Sequence, residues 1–300
     1  MPRPSPQPPE GFDSAPILPP DRRPRSRARR LLRRLPLYVL LAYAVWFIGA
    51  CSLQEHLIYP RRLSGRPLPE AAVPARVERV WITAADGSRV EAWFVPAEGA
   101  SGTHPAPAAI FFHGNAELID QNLDLVDRYH ARGYSLLMPE YRGYGRSGGS
   151  PNQKNIVADA DAFYSWLVSR PDIDARSTVI HGRSIGTGVA SQLAALHQPR
   201  ALILESPFTS IASYAWRFGV PPVFLRSPFH TDRVLPKLTC PILILAGRSD
   251  EVVPIEHGRT LHKLAPTSTM VELEGTHASG LSEQQEYWKA VDDVLARANP

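Results

Sequence analysis

Apolar and polar positions divide this chain into three stretches of different character. Residues 1–21 show no periodicity and few large apolar side chains, a composition that cannot repay the entropy of ordering, so disorder is expected there. Residues 35–53 carry no charge, and a helix over these 19 residues would span about 28 Å, close to the hydrocarbon thickness of a bilayer. From residue 76 the pattern changes to short runs. Apolar and polar residues alternate over 76–83 and 89–95 around Ala85-Asp86-Gly87-Ser88, which predicts a strand, a turn and a strand. Past a Gly/Pro/Ser-rich joint at 99–107, apolar runs predict strands at 108–113, 134–138, 178–183, 201–205, 241–246 and 269–273. Amphipathic stretches at 117–131, 153–169, 185–197, 255–264 and 283–297 predict the helices that follow them. Short strands alternating with helices imply right-handed crossovers and a mostly parallel sheet covered on both faces. The expected body is therefore one doubly wound α/β domain of about eight strands over 54–300, interrupted by an excursion at 207–238.

Charge sharpens this division. Residues 1–50 hold nine Arg against Glu10, Asp13 and Asp21, so the tail carries +6 and the remainder −2 of the overall +4. A nucleic-acid-binding enzyme needs basic charge on its folded part, so that class of partner is set aside. Eight of those Arg lie between Arg22 and Arg34, directly before the uncharged stretch. They predict a single-pass anchor with a cytoplasmic N-terminus, a body on the extracytoplasmic side, and Tyr38, Tyr43 and Trp46 available near the interfaces. Two other readings of the stretch stay open. A buried core helix would also be apolar, and Ile48-Gly49-Ala50-Cys51 resembles a lipobox that would be cleaved and lipidated at Cys51. Cys51 and Cys240 report no redox compartment, no Cys/His cluster has metal-ligand spacing, and no cofactor or metal is called for.

The chemistry starts at T-V-I-H, followed by Gly182-Arg183-Ser184-Ile185-Gly186 and a helix beginning T-G-V-A. This strand, elbow and helix context gives G-x-S-x-G its meaning, because the serine sits on a strained turn where side chains at the two glycines would crowd the neighbouring elements. Ser184 is the candidate nucleophile. A serine hydroxyl needs a base to take its proton, and the base needs a carboxylate to fix its tautomer and stabilise its charged form. His277, just after strand 269–273, is the histidine placed on a loop at the carboxyl edge of the sheet, and Asp250 follows the preceding strand by a short loop. The order Ser184, Asp250, His277 fits, with Glu205 as the alternative acid. An oxyanion needs two donors, assigned to the backbone N–H groups of Ile185 and Asn115. Gly114 would let the chain approach closely, and the side chains of His113 and Asn115 either brace this loop or act directly.

F-F-H-G-N-A-E, P-E-Y-R-G-Y-G-R-S-G-G-S-P, H-G-R-S-I-G-T-G-V-A, L-E-S-P-F-T-S-I, G-R-S-D-E-V-V-P and G-T-H together resemble the α/β-hydrolase superfamily, most closely its membrane-anchored branch of small serine hydrolases, which includes lipid esterases and depalmitoylases. The likeness runs from about residue 53 to the end. Glu140 stands where that branch more often has Asp, and Ala278 where Asn or Ser is common. The resemblance implies an α/β-hydrolase fold with a small lid at 207–238. Its rings, among them Phe208, Tyr214, Trp216 and Phe218, suit an acyl group or simply pack the lid onto the sheet. The function expected is a membrane-tethered serine hydrolase acting on ester, thioester or acylated small-molecule substrates. A peptidase of short peptides and a non-catalytic binding protein on the same fold are the alternatives.

Overall fold

The computed structural model describes Met1 and residues 27–215 and 219–297, and the chain divides into two compact units, 1–48 and 49–300. The expectation of disorder at 1–21, and the candidate residues Trp216 and Phe218, lie outside the described residues.

Helix α1 (Arg27–Ile58) contains the whole uncharged stretch, with Pro36 inside it. It is long and apolar enough to cross a membrane, and none of its apolar window is buried. Leu37, Val39, Leu40, Leu41 and Val45 are all exposed, which overturns the reading as a buried core helix. The helix also outlasts the uncharged stretch by five residues. Gln54 and Glu55, which already belong to the second unit, continue it because their polar groups find partners within that unit: Gln54 Nε2 donates to the Phe224 carbonyl at 3.2 Å, its Oε1 accepts the Arg226 N–H at 2.8 Å, and Glu55 accepts the Ser227 hydroxyl at 3.1 Å.

The second unit carries one eight-stranded sheet in the order β1-β2-β4-β3-β5-β6-β7-β8. Strands β1 (Glu78–Thr83) and β2 (Arg89–Val95) form the expected hairpin, with Gly87 at φ +81° and the Asp86 carboxylate accepting the Ser88 N–H. Strand β2 pairs antiparallel with β4 (Ser135–Pro139). The remaining pairs are parallel: β4 with β3 (Ala106–Phe112), then β5 (Ile173–Arg183), β6 (Ala201–Glu205), β7 (Ile242–Gly247) and β8 (Ser268–Leu273). Strands β4, β6 and β7 are buried along their whole length, which explains why they read as continuous apolar runs. The two-residue period sorts side chains onto opposite faces. Val90, Phe94, Ile110 and Phe112 join Phe163 of α3 (Gln153–Val168), Val189 of α4 (Ile185–His197) and Leu261 of α7 (Ile255–Leu264) in one core. Trp93, Val95, Ala109 and Phe111 join Val126 of α2 (Asp124–His130) and Val291 of α8 (Gln285–Arg297) in the other.

One expected helix is shortened. The continuous helix at 117–131 is replaced by a single 3-10 turn (Ile119–Gln121) before α2. The backbone there is committed elsewhere: the Ile119 N–H donates to Glu140, the Leu118 N–H to Gln121, and Asn122 Nδ2 caps the Leu118 carbonyl. The excursion at 207–238 contains α5 (Ala212–Ala215) and α6 (Thr231–Val234). Its rings press on α4, where a Cβ at Gly188 would meet Phe229 and Phe208 at 2.9 and 3.0 Å.

Candidate active site

Ser184 occupies the turn between β5 and α4 with φ +51° and ψ −119°, a conformation that costs energy for any residue with a side chain. The two glycines of the motif make the turn possible. A Cβ at Gly182 would fall on the carbonyl of Gly186, and one at Gly186 on the carbonyl of Phe112. Hydrogen bonds hold the elbow: the Ser184 N–H donates to the Glu205 carbonyl at 2.8 Å, and the N–H and hydroxyl of Thr187 donate to the Ser184 carbonyl at 2.9 and 2.7 Å.

Three segments far apart in sequence converge at this serine. His277, after β8, has Nε2 at 3.0 Å from Ser184 Oγ and Nδ1 at 2.8 Å from Asp250 Oδ2. Asp250, after β7, is buried, and its Oδ1 accepts the N–H groups of Val252 and Val253 at 3.0 and 2.7 Å. Burial opposes ionisation of Asp250, but His277 and the Val253 N–H outweigh it and hold the carboxyl below its ordinary range. The tautomer follows from the partners. A carboxylate can only accept, so Nδ1 carries the proton and Nε2 offers its lone pair to the Ser184 hydroxyl.

Glu205 is occupied otherwise. It accepts Arg183 Nε at 3.1 Å and the Tyr287 hydroxyl at 2.9 Å, and no hydrogen bond joins it to His277. Because Tyr287 donates to Glu205, its oxygen must accept from His181 Nε2, and His181 Nδ1 must accept from the Tyr129 hydroxyl. His181 is thus satisfied as a neutral ring, and burial, helped by Arg183, pushes its pKa down to about 3. Arg183 also reaches Glu117 at 3.3 Å and Asn122 at 3.1 Å, tying the elbow to the loop after β3.

That loop carries Asn115. His113 is buried between the Gly114 carbonyl, 2.8 Å from Nδ1, and Glu140 Oε1, 2.8 Å from Nε2. Burial disfavours the imidazolium, but Glu140 outweighs it and raises the pKa above the ordinary value. The Asn115 side chain is held at both ends too: Nδ2 donates to the Ile58 carbonyl at 2.6 Å, and Oδ1 accepts the Tyr144 hydroxyl at 2.9 Å. Both side chains therefore brace the loop. Ile185 is the first residue of α4, so its N–H has no acceptor within the helix.

The aromatic candidates are placed differently from one another. Phe208 is 3% exposed and belongs to the core against α4, so it packs the excursion and offers no open face. Tyr214 is half-buried and stacks on His257, with its hydroxyl 2.9 Å from Nε2. Sequence reasoning missed the pairing of His113 with Glu140 and the link from Asn115 to the end of α1. For the first a signal existed in the departure at Glu140, whereas a backbone carbonyl as partner leaves none. Among the described residues, no group of three His, Cys, Asp or Glu is arranged to hold a metal ion.

The serine aminopeptidase, S33 family profile matches residues 103–231. The Arabidopsis thaliana α/β hydrolase domain-containing protein WAV2 is 33% identical over 281 residues, covering 83% of this chain and 89% of that protein. The chain belongs to the α/β-hydrolase superfamily. A lysophosphatidylserine lipase, ABHD12 of Danio rerio, is 34% identical over 185 residues, 54% of this chain and 48% of the lipase. Among solved structures, an esterase from Pyrococcus furiosus superposes with a TM-score of 0.63 at 17% identity, covering 78% of this chain and 97% of the esterase, which bears on the fold alone. Hydrolase function follows from membership of this superfamily with its esterase and lipase relatives.

Proposed function

We propose that this α/β-hydrolase is a membrane-anchored serine hydrolase that cleaves carboxylic ester or thioester bonds of lipid-like or acylated substrates. The observation that carries this reading is the single file of Asp250, His277 and Ser184, linked at 2.8 and 3.0 Å. His277 Nε2 takes the hydroxyl proton as Ser184 Oγ attacks the acyl carbon, and Asp250 stabilises the imidazolium that forms. The N–H groups of Ile185 and Asn115 receive the oxyanion. As the tetrahedral species collapses, His277 returns the proton to the departing alcohol or thiol, leaving an acyl-enzyme that water then hydrolyses by the same route.

The lipid-like substrate class is supported by the apolar helix, by the lipase relative, and by the aromatic segment 207–238, which we read as a lid. The match to a serine aminopeptidase profile keeps peptide amides as the second reading. Full-length protein in detergent micelles should turn over p-nitrophenyl esters and matched thioesters, with kcat/KM rising along an acyl-chain series. Turnover confined to aminoacyl anilides would move the assignment to peptidase chemistry.

The Arg cluster before the apolar helix supports a cytoplasmic N-terminus and a catalytic unit on the other side. In a bacterial host, protease added to intact spheroplasts should digest the catalytic unit, and the intact mass should retain the Arg cluster. Protection of the unit would invert the topology, and a lipidated N-terminus at Cys51 would establish the lipoprotein alternative.

A further inference from the structure

The last turns of α1 belong to the second unit and do more than end the helix. Ile58 ends the helix, and its carbonyl is among those left without an acceptor role inside the helix. Asn115 Nδ2 donates to that carbonyl at 2.6 Å, while the Tyr144 hydroxyl donates to Oδ1 of the same amide at 2.9 Å. Tyr59 beside it is 1% exposed and part of the core, so this helix end is fixed to the body.

A peptide unit is planar, so the Gly114 carbonyl and the Asn115 N–H point in opposite directions along one plane. His113 holds the carbonyl of that plane through Nδ1–H at 2.8 Å, and the Asn115 side chain anchors the residue that bears the N–H. The plane is gripped at both ends. We propose that the Asn115 side chain is a positioning group for catalysis: by capping Ile58 at the end of α1, it aims its own backbone N–H at the oxyanion and makes that last turn of the helix a working part of the active site. This rests on the reading above that Ser184 is the nucleophile and the Asn115 N–H an oxyanion donor. The consequence is that turnover depends on the register between the end of α1 and the loop after β3.

Asn115→Ala tests this in the full-length protein, because it keeps the backbone N–H and removes only the amide. An aimed N–H acts on the transition state, so kcat should fall about 10- to 100-fold, less than the loss of a whole oxyanion donor. KM should stay within about twofold, and affinity for an oxyanion-forming trifluoromethyl ketone should fall by the same factor as kcat. Tyr144→Phe, which keeps the buried ring and removes only the hydroxyl, should lower kcat several-fold. Combined with Asn115→Ala it should add nothing, since both act through one amide. Unchanged kcat in both single variants, or equal loss of trifluoromethyl ketone and product-alcohol affinity, overturns the proposal. Ser184→Ala run beside them separates the two levels. Turnover surviving there removes the underlying reading, whereas its loss together with an unaffected Asn115→Ala removes this proposal alone.

Discussion

Asp250→Asn is expected to lower turnover by roughly four orders of magnitude while leaving the melting temperature nearly unchanged. The reason lies in the two faces of the carboxylate. Its Oδ1 accepts the N–H groups of Val252 and Val253, and an asparagine oxygen can keep both bonds, so the loop holds its shape. The asparagine NH2 then faces His277 Nδ1, where Oδ2 now stands at 2.8 Å. Facing a donor, Nδ1 must accept, so the ring proton moves to Nε2 and the base meets Ser184 on its protonated side. The charge that stabilises the imidazolium is lost as well. Kinetics on a p-nitrophenyl ester with parallel thermal melts checks both halves. Glu205→Gln is the control, since Glu205 serves Arg183 and Tyr287, and it should reduce turnover by less than about tenfold. Exchanged results would assign the acid to Glu205 and leave the Asp250 loop a structural role.

What the sequence made legible was local. Strand alternation at 76–83 and 89–95, the continuous apolar runs of the central strands and the elbow around Ser184 each depend on near neighbours, so periodicity and two glycines carry them. The candidate triad was legible for a related reason: Asp250 and His277 each follow a strand, and parallel strands deliver their following loops to one edge. What stayed hidden depends on partners chosen by tertiary placement. His113 meets Glu140 across 27 positions, and Asn115 meets the carbonyl of Ile58 across 57. The helix at 117–131 looked continuous because its pattern is amphipathic, yet Glu140 and Gln121 compete for its backbone. The uncharged stretch marked where an apolar helix runs, but not that it continues to Ile58, since Gln54 and Glu55 read as an end until their partners at 224–227 are seen. Aromatic content likewise identified Phe208 without saying which way it faces.

The largest expected effect belongs to Ser184. Its hydroxyl is the group aligned with His277, and an alanine there leaves binding and any oxyanion donors in place but nothing to acylate. Turnover should fall by about six orders of magnitude, the scale seen when a triad nucleophile is removed. A fluorophosphonate probe tests the assignment most directly. Ser184 Oγ displaces fluoride at phosphorus, its proton passing to His277, and the adduct remains on the serine. The account predicts one adduct per chain, located by peptide mass on Ser184 and absent from Ser184→Ala. Equal labelling of both proteins, or an adduct on another residue, would contradict it.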